Sequence, residues 1–304
     1  MAKRSAGAPT PTHRLTRPDT RLYVGDCRDL LPRIAACARA EVDLIFADPP
    51  FNWQVKYDRW HDGMPRADYL DFTRRWLDLC VASLSQRGAL WVNIPDDTAA
   101  EIVVHLKTQH KLTMVNWCVW HYRFGQNRMG SFIQSKVHAL YFVKDPKNRV
   151  WNAEAVLEPS DRATTYFDPR TDNKKEGVNG LRVPMDVWYG RYWGRIQGNN
   201  SERRAHHKNQ LPEVYLERVI RACSNEGDLV LDPFLGSGTT GVVARELGRR
   251  FIGIEYSKAN ARSALARITA GAVRVRKGEP TRHMTAIFPP RQRGRRATTT
   301  RTEA

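Results

Sequence analysis

The sequence predicts an α/β protein, an open and mostly parallel sheet with helices on its faces. Three observations carry this. Continuous apolar runs such as Val42–Ala47 (VDLIFA) and Ala89–Ile94 (ALWVNI) read as strands buried on both sides. Stretches with helical spacing separate the runs. A glycine-rich turn joins one late run to the helix that follows it.

The elements follow in order. Leu22–Gly25 reads as a short strand, and Val42–Ala47 as a second. Ala67–Ser85 is a helix, because Tyr69, Phe72, Trp76 and Leu79 recur on one face. Ala89–Ile94 is a strand, and a helix follows from Asp97, capped by Asp96 or Asp97. Thr113–Tyr122 and Val137–Val143 are two further strands. Residues 145–208 lose all periodicity. They carry seven aromatics among Asp, Asn, Arg, Gly and Pro, which argues against simple disorder and for a functional insertion. Order returns with a helix over Pro212–Ser224, a strand at Leu229–Leu231 and a helix over Thr239–Leu247. A strand at Phe251–Ile254 and a helix over Ala259–Ala270 complete the series.

The organisation is therefore a basic, disordered arm (1–20), a catalytic half-domain (21–144), a target-recognition insertion (145–208), a cofactor-binding half-domain (209–270) and a basic, disordered tail (271–304). The net charge is +17, and residues 1–21 and 271–304 supply eleven of those charges. Such a balance points to a polyanionic partner. Cys27, Cys37, Cys80, Cys118 and Cys223 form no C-x-x-C pair, which argues against a zinc or disulfide framework and for a reducing cytoplasm. The nine histidines show no metal-ligand spacing. No segment has the length of a membrane span, and the first residues lack a signal-peptide core.

Two motifs carry chemistry. Gly236, Gly238 and Gly241 form G-x-G-x-x-G between a strand and a helix, and Glu255 ends the next strand. Such a turn exposes helix amides to a nucleoside cofactor, and the acid can accept its ribose hydroxyls. Asp232 stands just before the loop. A carboxylate there would repel a dinucleotide pyrophosphate but suits the sulfonium and ammonium charges of S-adenosylmethionine. Asp48-Pro49-Pro50-Phe51 follows the strand VDLIFA, at the rim where α/β sheets bind ligands. An exocyclic base amine is a poor nucleophile and needs acceptors for its two N–H groups. Asp48 offers a carboxylate and a proline carbonyl offers the second acceptor, while proline brings no competing donor. Phe51 offers a flat face to an extruded base.

DPPF followed by DPFLGSGTT and GIE resembles the amino DNA methyltransferases of bacteria and phages, with the motif order of their β group. The resemblance covers roughly residues 20–268. It implies a permuted, Rossmann-like sheet of seven strands, with 145–208 as the target-recognition region. It implies S-adenosyl-L-methionine as cofactor and double-stranded DNA as partner, with a homodimer and a cognate restriction enzyme as further possible partners. Asp26 and Cys27 in LYVGDCRDLL resemble the motif beside the cofactor adenine. Asn209, Gln210 and Leu211 resemble the segment that helps to bind the methionine part, and Phe234 the aromatic that packs on the cofactor. Ser237 and Thr239 belong to the cofactor loop. Trp193, Asn199, Asn200, Arg203 and Arg204 are candidates for DNA contact. The resemblance favours adenine N6 as the methylated atom, since Asp at the first motif position is commoner among adenine enzymes. Cytosine N4 is the near alternative; an RNA substrate or a non-catalytic DNA-binding role comes after it.

Overall fold

The computed structural model describes residues 7–278 except 56–59, 61, 123–124, 126–128, 165, 167, 172–179, 191, 206 and 208. The chain begins with β1 (His13–Thr16), β2 (Asp19–Val24), the short helices α1 (Cys27–Leu30) and α2 (Ala35–Ala38), and β3 (Val42–Ala47). Next come α3 (Arg66–Ser83), β4 (Leu84–Ile94), α4 (Asp96–Thr108), β5 (Thr113–His121) and β6 (Lys136–Val143). The insertion holds β7 (Glu158–Pro159), α5 (Asp161–Thr164), β8 (Leu181–Arg182) and β9 (Val187–Trp188). The last part is α6 (Glu213–Cys223), β10 (Leu229–Asp232), α7 (Thr239–Glu246), β11 (Arg250–Glu255) and α8 (Lys258–Ala270).

Nine strands form the main sheet in the order β1-β2-β11-β10-β3-β4-β6-β5-β9. The seven inner strands are those the sequence predicts, and β1 and β9 are added at the two edges. β2, β11, β10, β3 and β4 run parallel, and β6 runs against both β4 and β5. Side chains of β3 alternate between two cores because successive Cβ atoms point to opposite faces. Leu44 and Phe46 join the core that holds Tyr215 of α6, and Ile45 and Ala47 join the one that holds Trp76 of α3. Both faces of the sheet are thus covered, and that is why VDLIFA carries no outward polar alternation.

Position in the sheet fixes where a ligand sits. β3 leads through α3 to β4 on one side, while β10 leads through α7 to β11 on the other, and β3 and β10 are neighbours through Val230↔Leu44 and Leu231↔Ile45. The loops leaving their carboxyl ends diverge and open a crevice between them. Asp48 and Asp232 stand at its two lips, one residue past β3 and at the end of β10.

Several expectations are corrected. The basic arm is ordered from its middle onward, since His13–Thr16 pairs antiparallel with β2. The tail is anchored over its first eight residues. Val275 is fully buried, and the amides of Val273 and Arg274 donate to Glu213 at 2.9 and 2.8 Å. The arm's residues 1–6 and the tail's 279–304 lie outside the described residues. Neither Asp96 nor Asp97 caps α4; Pro95 stands at the N-cap, both acids fall in the first turn, and Asp96 pairs with Lys136 at 2.8 Å. The insertion does hold regular pieces, but each strand has only two residues, too short for any period to show.

Candidate active site

One cavity of about 530 Å³ runs across the crevice, lined by Asp48–Phe51, Asp26 and Cys27, Asn209–Leu211, Asp232–Ser237 and Glu255. Its size suits a small-molecule site. Asp48 accepts a hydrogen bond from Asn93 Nδ2 at 3.1 Å, and Asn93 Oδ1 accepts from Tyr215 Oη at 2.6 Å. Asn93 and Tyr215 are buried behind the half-buried Asp48, so they fix the carboxylate's direction. Burial pushes the Asp48 carboxyl up to about 7, and the Asn93 bond and the Arg195 charge only partly oppose it. The Pro50 carbonyl accepts from Tyr69 Oη at 2.8 Å. Phe51 meets the edge of Trp53 at 5.1 Å.

The loop behind the tetrapeptide is clamped. The buried Asp62 carboxylate accepts from the amides of Asn52, Trp53 and Val55 at 2.9, 3.1 and 3.0 Å. The Asn52 side chain brackets Met64, donating to its carbonyl and accepting from its amide at 2.8 and 2.7 Å. Asn52 has φ +62°, a region Asn tolerates better than most residues.

Across the crevice Asp232 is buried, and burial raises it to about 7, with Asp48 and Glu255 adding to the rise. Its own bonds, to Thr240 and to the Phe234 amide at 2.9 Å, only moderate this. Glu255 is likewise raised by burial, while its two oxygens accept from the amides of Gly236 and Ser257, both at 2.9 Å. With Asp26, which Arg28 neutralises, four carboxylates thus share a cavity in which, among the described lining residues, Arg195 is the one lysine or arginine. A ligand carrying fixed positive charge supplies what the site lacks. This donor set fits the sulfonium and ammonium of S-adenosylmethionine and does not fit a pyrophosphate.

The other cofactor candidates fall into two groups. Phe234 sits edge-on to Trp76 at 5.0 Å and lines the cavity with Trp60, Phe72 and Tyr256, an apolar pocket for a purine. Cys27 is buried there, its thiol pushed up to about 12 by burial, so it acts as a small apolar wall and not as a nucleophile. Asp26 is engaged already. It caps α1 and receives Arg28 through two guanidinium nitrogens at 2.7–3.2 Å, which outweighs burial and lowers its pKa. Gln210 is buried and spent on structure, accepting from the Arg204 amide at 3.0 Å and donating to the Glu202 carbonyl at 2.6 Å. The Leu211 carbonyl accepts from Thr239 Oγ1 at 3.2 Å, and Asn209 is exposed at the cavity edge.

The glycines divide their roles. Gly236 (φ +49°) turns the chain toward Glu255. A Cβ at Gly238 would lie 3.0 Å from the Ala264 Cβ, and one at Gly241 2.7 Å from both Ile268 and Phe251. Those two are small so that α7 can pack on α8 and β11, which is tertiary packing and not ligand approach.

Sequence reasoning missed the network beneath this loop. Arg267, fully buried, donates to Thr239 Oγ1 at 2.7 Å, to Ser237 Oγ at 3.2 Å and to Glu213 at 3.3 Å. Arg274 pairs with buried Glu202 at 2.5 Å, and Glu202 also accepts from the Glu213 amide at 2.8 Å. Charged residues on α6 and α8 read as solvent-facing from spacing alone, and nothing in the sequence marks them as one unit. Asn93 did leave a signal, as a lone amide at the end of an apolar run.

Trp193 is corrected from DNA contact to core. It is fully buried among Trp188 and Tyr215, its carbonyl accepts from Trp120 Nε1 at 2.6 Å, and the Arg218 guanidinium lies 4.4 Å from its ring centre. Trp193→Ala is expected to cost about 3–5 kcal/mol of stability, typical of a large aromatic removed from a core. A urea melt checks it, and a loss under about 1 kcal/mol would contradict the packing role. Asn199 and Arg203 are exposed, Asn200 caps a turn onto the Glu202 amide at 2.9 Å, and Arg204 folds back on the Arg203 carbonyl at 3.2 Å. Among the described residues the histidines gather once. His105 and His110 each place Nε2 at 2.7 Å from Asp78 Oδ1, on the surface and away from the cavity residues.

The family model described as DNA methylase matches residues 42–266. The type II methyltransferase M.HpaI of Haemophilus parainfluenzae is 30% identical over 232 residues, 76% of this chain and 69% of that protein. The DNA adenine methyltransferase YhdJ of Escherichia coli K12 is 32% identical over 249 residues, 79% of this chain and 80% of that one. Among solved structures, the cytosine-N4-specific PvuII DNA methyltransferase superposes with a TM-score of 0.63 at 15% identity, covering 85% of this chain and 90% of that one. A putative DNA modification methylase of Thermus thermophilus, complexed with S-adenosyl-L-methionine, gives 0.55 at 23% identity, covering 82% and 94%. The fold and crevice define a Rossmann-like methyltransferase. The chain belongs to the N6/N4 DNA methyltransferase family, whose methyl donor is S-adenosylmethionine and whose substrate is an exocyclic amino group of a DNA base. No helix among the described residues is long and apolar enough to cross a membrane.

Proposed function

We propose that this protein is a site-specific DNA methyltransferase that methylates N6 of an adenine swung out of the duplex. The observation that carries the reading is the placement of Asp48-Pro49-Pro50-Phe51 and Asp232 on opposite lips of one cavity. When bound, S-adenosylmethionine supplies an electrophilic methyl group with a neutral thioether as leaving group.

Asp48 accepts one N–H of the amine. The Pro49 carbonyl accepts the other, because Pro50 already accepts from Tyr69. The nitrogen lone pair is then aimed at the methyl carbon, and Phe51 stacks on the base. The methylated amine then carries one proton more than the product. The amine's surplus proton passes to Asp48, whose pKa near 7 lets it take and release a proton at neutral pH. Asp232 and Glu255 hold the cofactor's ammonium and ribose, and Phe234 its adenine. Asp at position 48 favours adenine within the family pattern, and YhdJ, named for adenine, is among the relatives. The likeness to the cytosine-N4 PvuII enzyme keeps N4 as the second reading.

The deciding experiment incubates the protein with unmethylated DNA and S-adenosylmethionine, digests to nucleosides and weighs the products. N6-methyladenine supports the reading; N4-methylcytosine keeps the mechanism and replaces the base. Absence of both, with the cofactor bound, rejects the reading.

A pH dependence follows. Asp48 and Asp232 sit at about 7 in the folded protein and near 3.8 when exposed, so the ligand-free fold holds extra protons between those values. Their contribution to stability is complete below pH 3.8 and is lost as pH rises through 7. A cationic ligand reverses this by favouring the ionised acids. Thermal stabilisation by S-adenosylmethionine is therefore expected to grow from about pH 6 to about pH 8, and Asp232→Asn should flatten the slope. A shift independent of pH in the wild type would remove the carboxylates from cofactor binding.

A further inference from the structure

We propose that residues 129–133, between β5 and β6, form the tip of a DNA-inserting finger, with Phe132 as the wedge that occupies the stack vacated by the extruded base. The inference rests on the function proposed above.

Position comes first. β5 and β4 both run against β6, so β5 ends at the same rim of the sheet as β3 and β4. Trp120 and Val137, which flank the loop, line the active-site cavity. Tyr122, the first residue past β5, bonds through its Oη with Arg195 Nη2 at 2.9 Å, and Arg195 also lines the cavity.

Shape comes second. The stem is pinched. The Tyr122 amide donates to the Ser135 carbonyl at 2.9 Å, and a Cβ at Gly125 would fall 2.5 Å from both the Gln134 carbonyl oxygen and the Ile133 side chain. Only glycine lets the two arms approach this closely. Beyond the stem, Phe132 is 100% exposed and Met129 96%, more than any other large apolar side chain among the described residues. Proteins seldom leave such groups in water on a braced projection beside a binding site.

Chemistry comes third. Residues 122–136 contain Arg123, Arg128 and Lys136 and no acid. An apolar tip in a sequence segment that holds cations and no acid matches a duplex, whose phosphates surround an apolar base stack, and Phe and Met are among the side chains that enter base steps as wedges. Extruding a base leaves a gap that such a side chain can fill. Trp53, 38% exposed and edge-on to Phe51, gives the mouth of the cavity a second aromatic.

The test uses the full chain and its own recognition sequence, located first on methylated plasmid. Methylation rates are compared for wild type, Phe132→Ala and Phe132→Leu on intact duplex and on duplex with a mismatch at the target pair. Phe132→Ala should lose about tenfold or more in kcat/KM on intact duplex and recover on the mismatch, where extrusion is easier. Phe132→Leu should stay within about threefold of wild type, since leucine also serves as a wedge. Equal rates for wild type and Phe132→Ala on intact duplex would overturn the finger. So would a loss that the mismatch fails to restore. A wild type that leaves all DNA unmethylated rejects the proposed function and this inference with it.

Discussion

Asp48→Ala is expected to lower methyl transfer by roughly 10²- to 10⁴-fold, the range for losing a positioned acid–base group. Saturation with cofactor should not restore the rate. The side chain sits at the end of β3, beyond the regular sheet, so the fold should survive its loss. A thermal melt within a few degrees of wild type would confirm that. Asn93→Ala should act in the same direction but more weakly, since Asn93 only orients the carboxylate and leaves it in place. The informative split is between the two. If Asn93→Ala matched Asp48→Ala in rate but also melted the protein, Asn93 would be a packing residue and no positioning role would stand.

Arg267→Ala is expected to have as large an effect on stability as Trp193→Ala. Arg267 and Glu213 are both fully buried, and burial lowers the Arg267 pKa although Glu213 opposes it. Removing the cation strands a carboxylate in the core, for which about 3–5 kcal/mol is typical. Arg267→Met combined with Glu213→Gln should recover part of that loss. Glutamine still accepts the amides of Val273 and Arg274, and no unpaired charge remains. Denaturant melts of the two singles and the double give the coupling. Additive losses would show that the pair is not an energetic unit. Because Arg267 also holds Ser237 and Thr239, cofactor affinity should fall in the single variant at temperatures where it is still folded.

The sheet and the catalytic tetrapeptide are legible in the sequence because local chemistry marks them. VDLIFA is apolar but for Asp43 because it is covered on both faces. DPPF and the glycine loop each announce a turn at a strand end. What stays hidden depends on tertiary partners. Trp193 and Asn199 are both uncharged residues in an aperiodic stretch, and nothing local says that one is core and the other solvated. Gln210 lies in a segment that resembles a cofactor motif, yet its amide is consumed by Glu202 and Arg204, neither of which spacing could pair with it. The near end of the tail is hidden for the same reason. Arg274 reads as one more basic residue until Glu202 and Glu213 are seen beneath it. A truncation meant to test phosphate contact by the tail should begin after residue 278, since one beginning at 271 would also remove the buried Val275.

The adjacency of β3 and β10 has a bearing on how the chain is made. β3 needs a partner on each side, and the two arrive at very different times. β4 follows closely in the sequence, whereas β10 lies beyond the whole insertion. Until it emerges, one edge of a largely apolar strand is open in a half-made sheet. Such edges invite pairing with other chains, and contacts so distant in sequence form slowly. The insertion is therefore also a delay in assembly. It is crossed before either the cofactor crevice or a closed sheet can exist, so a nascent chain has no methylating competence and its greatest tendency to aggregate during the same interval.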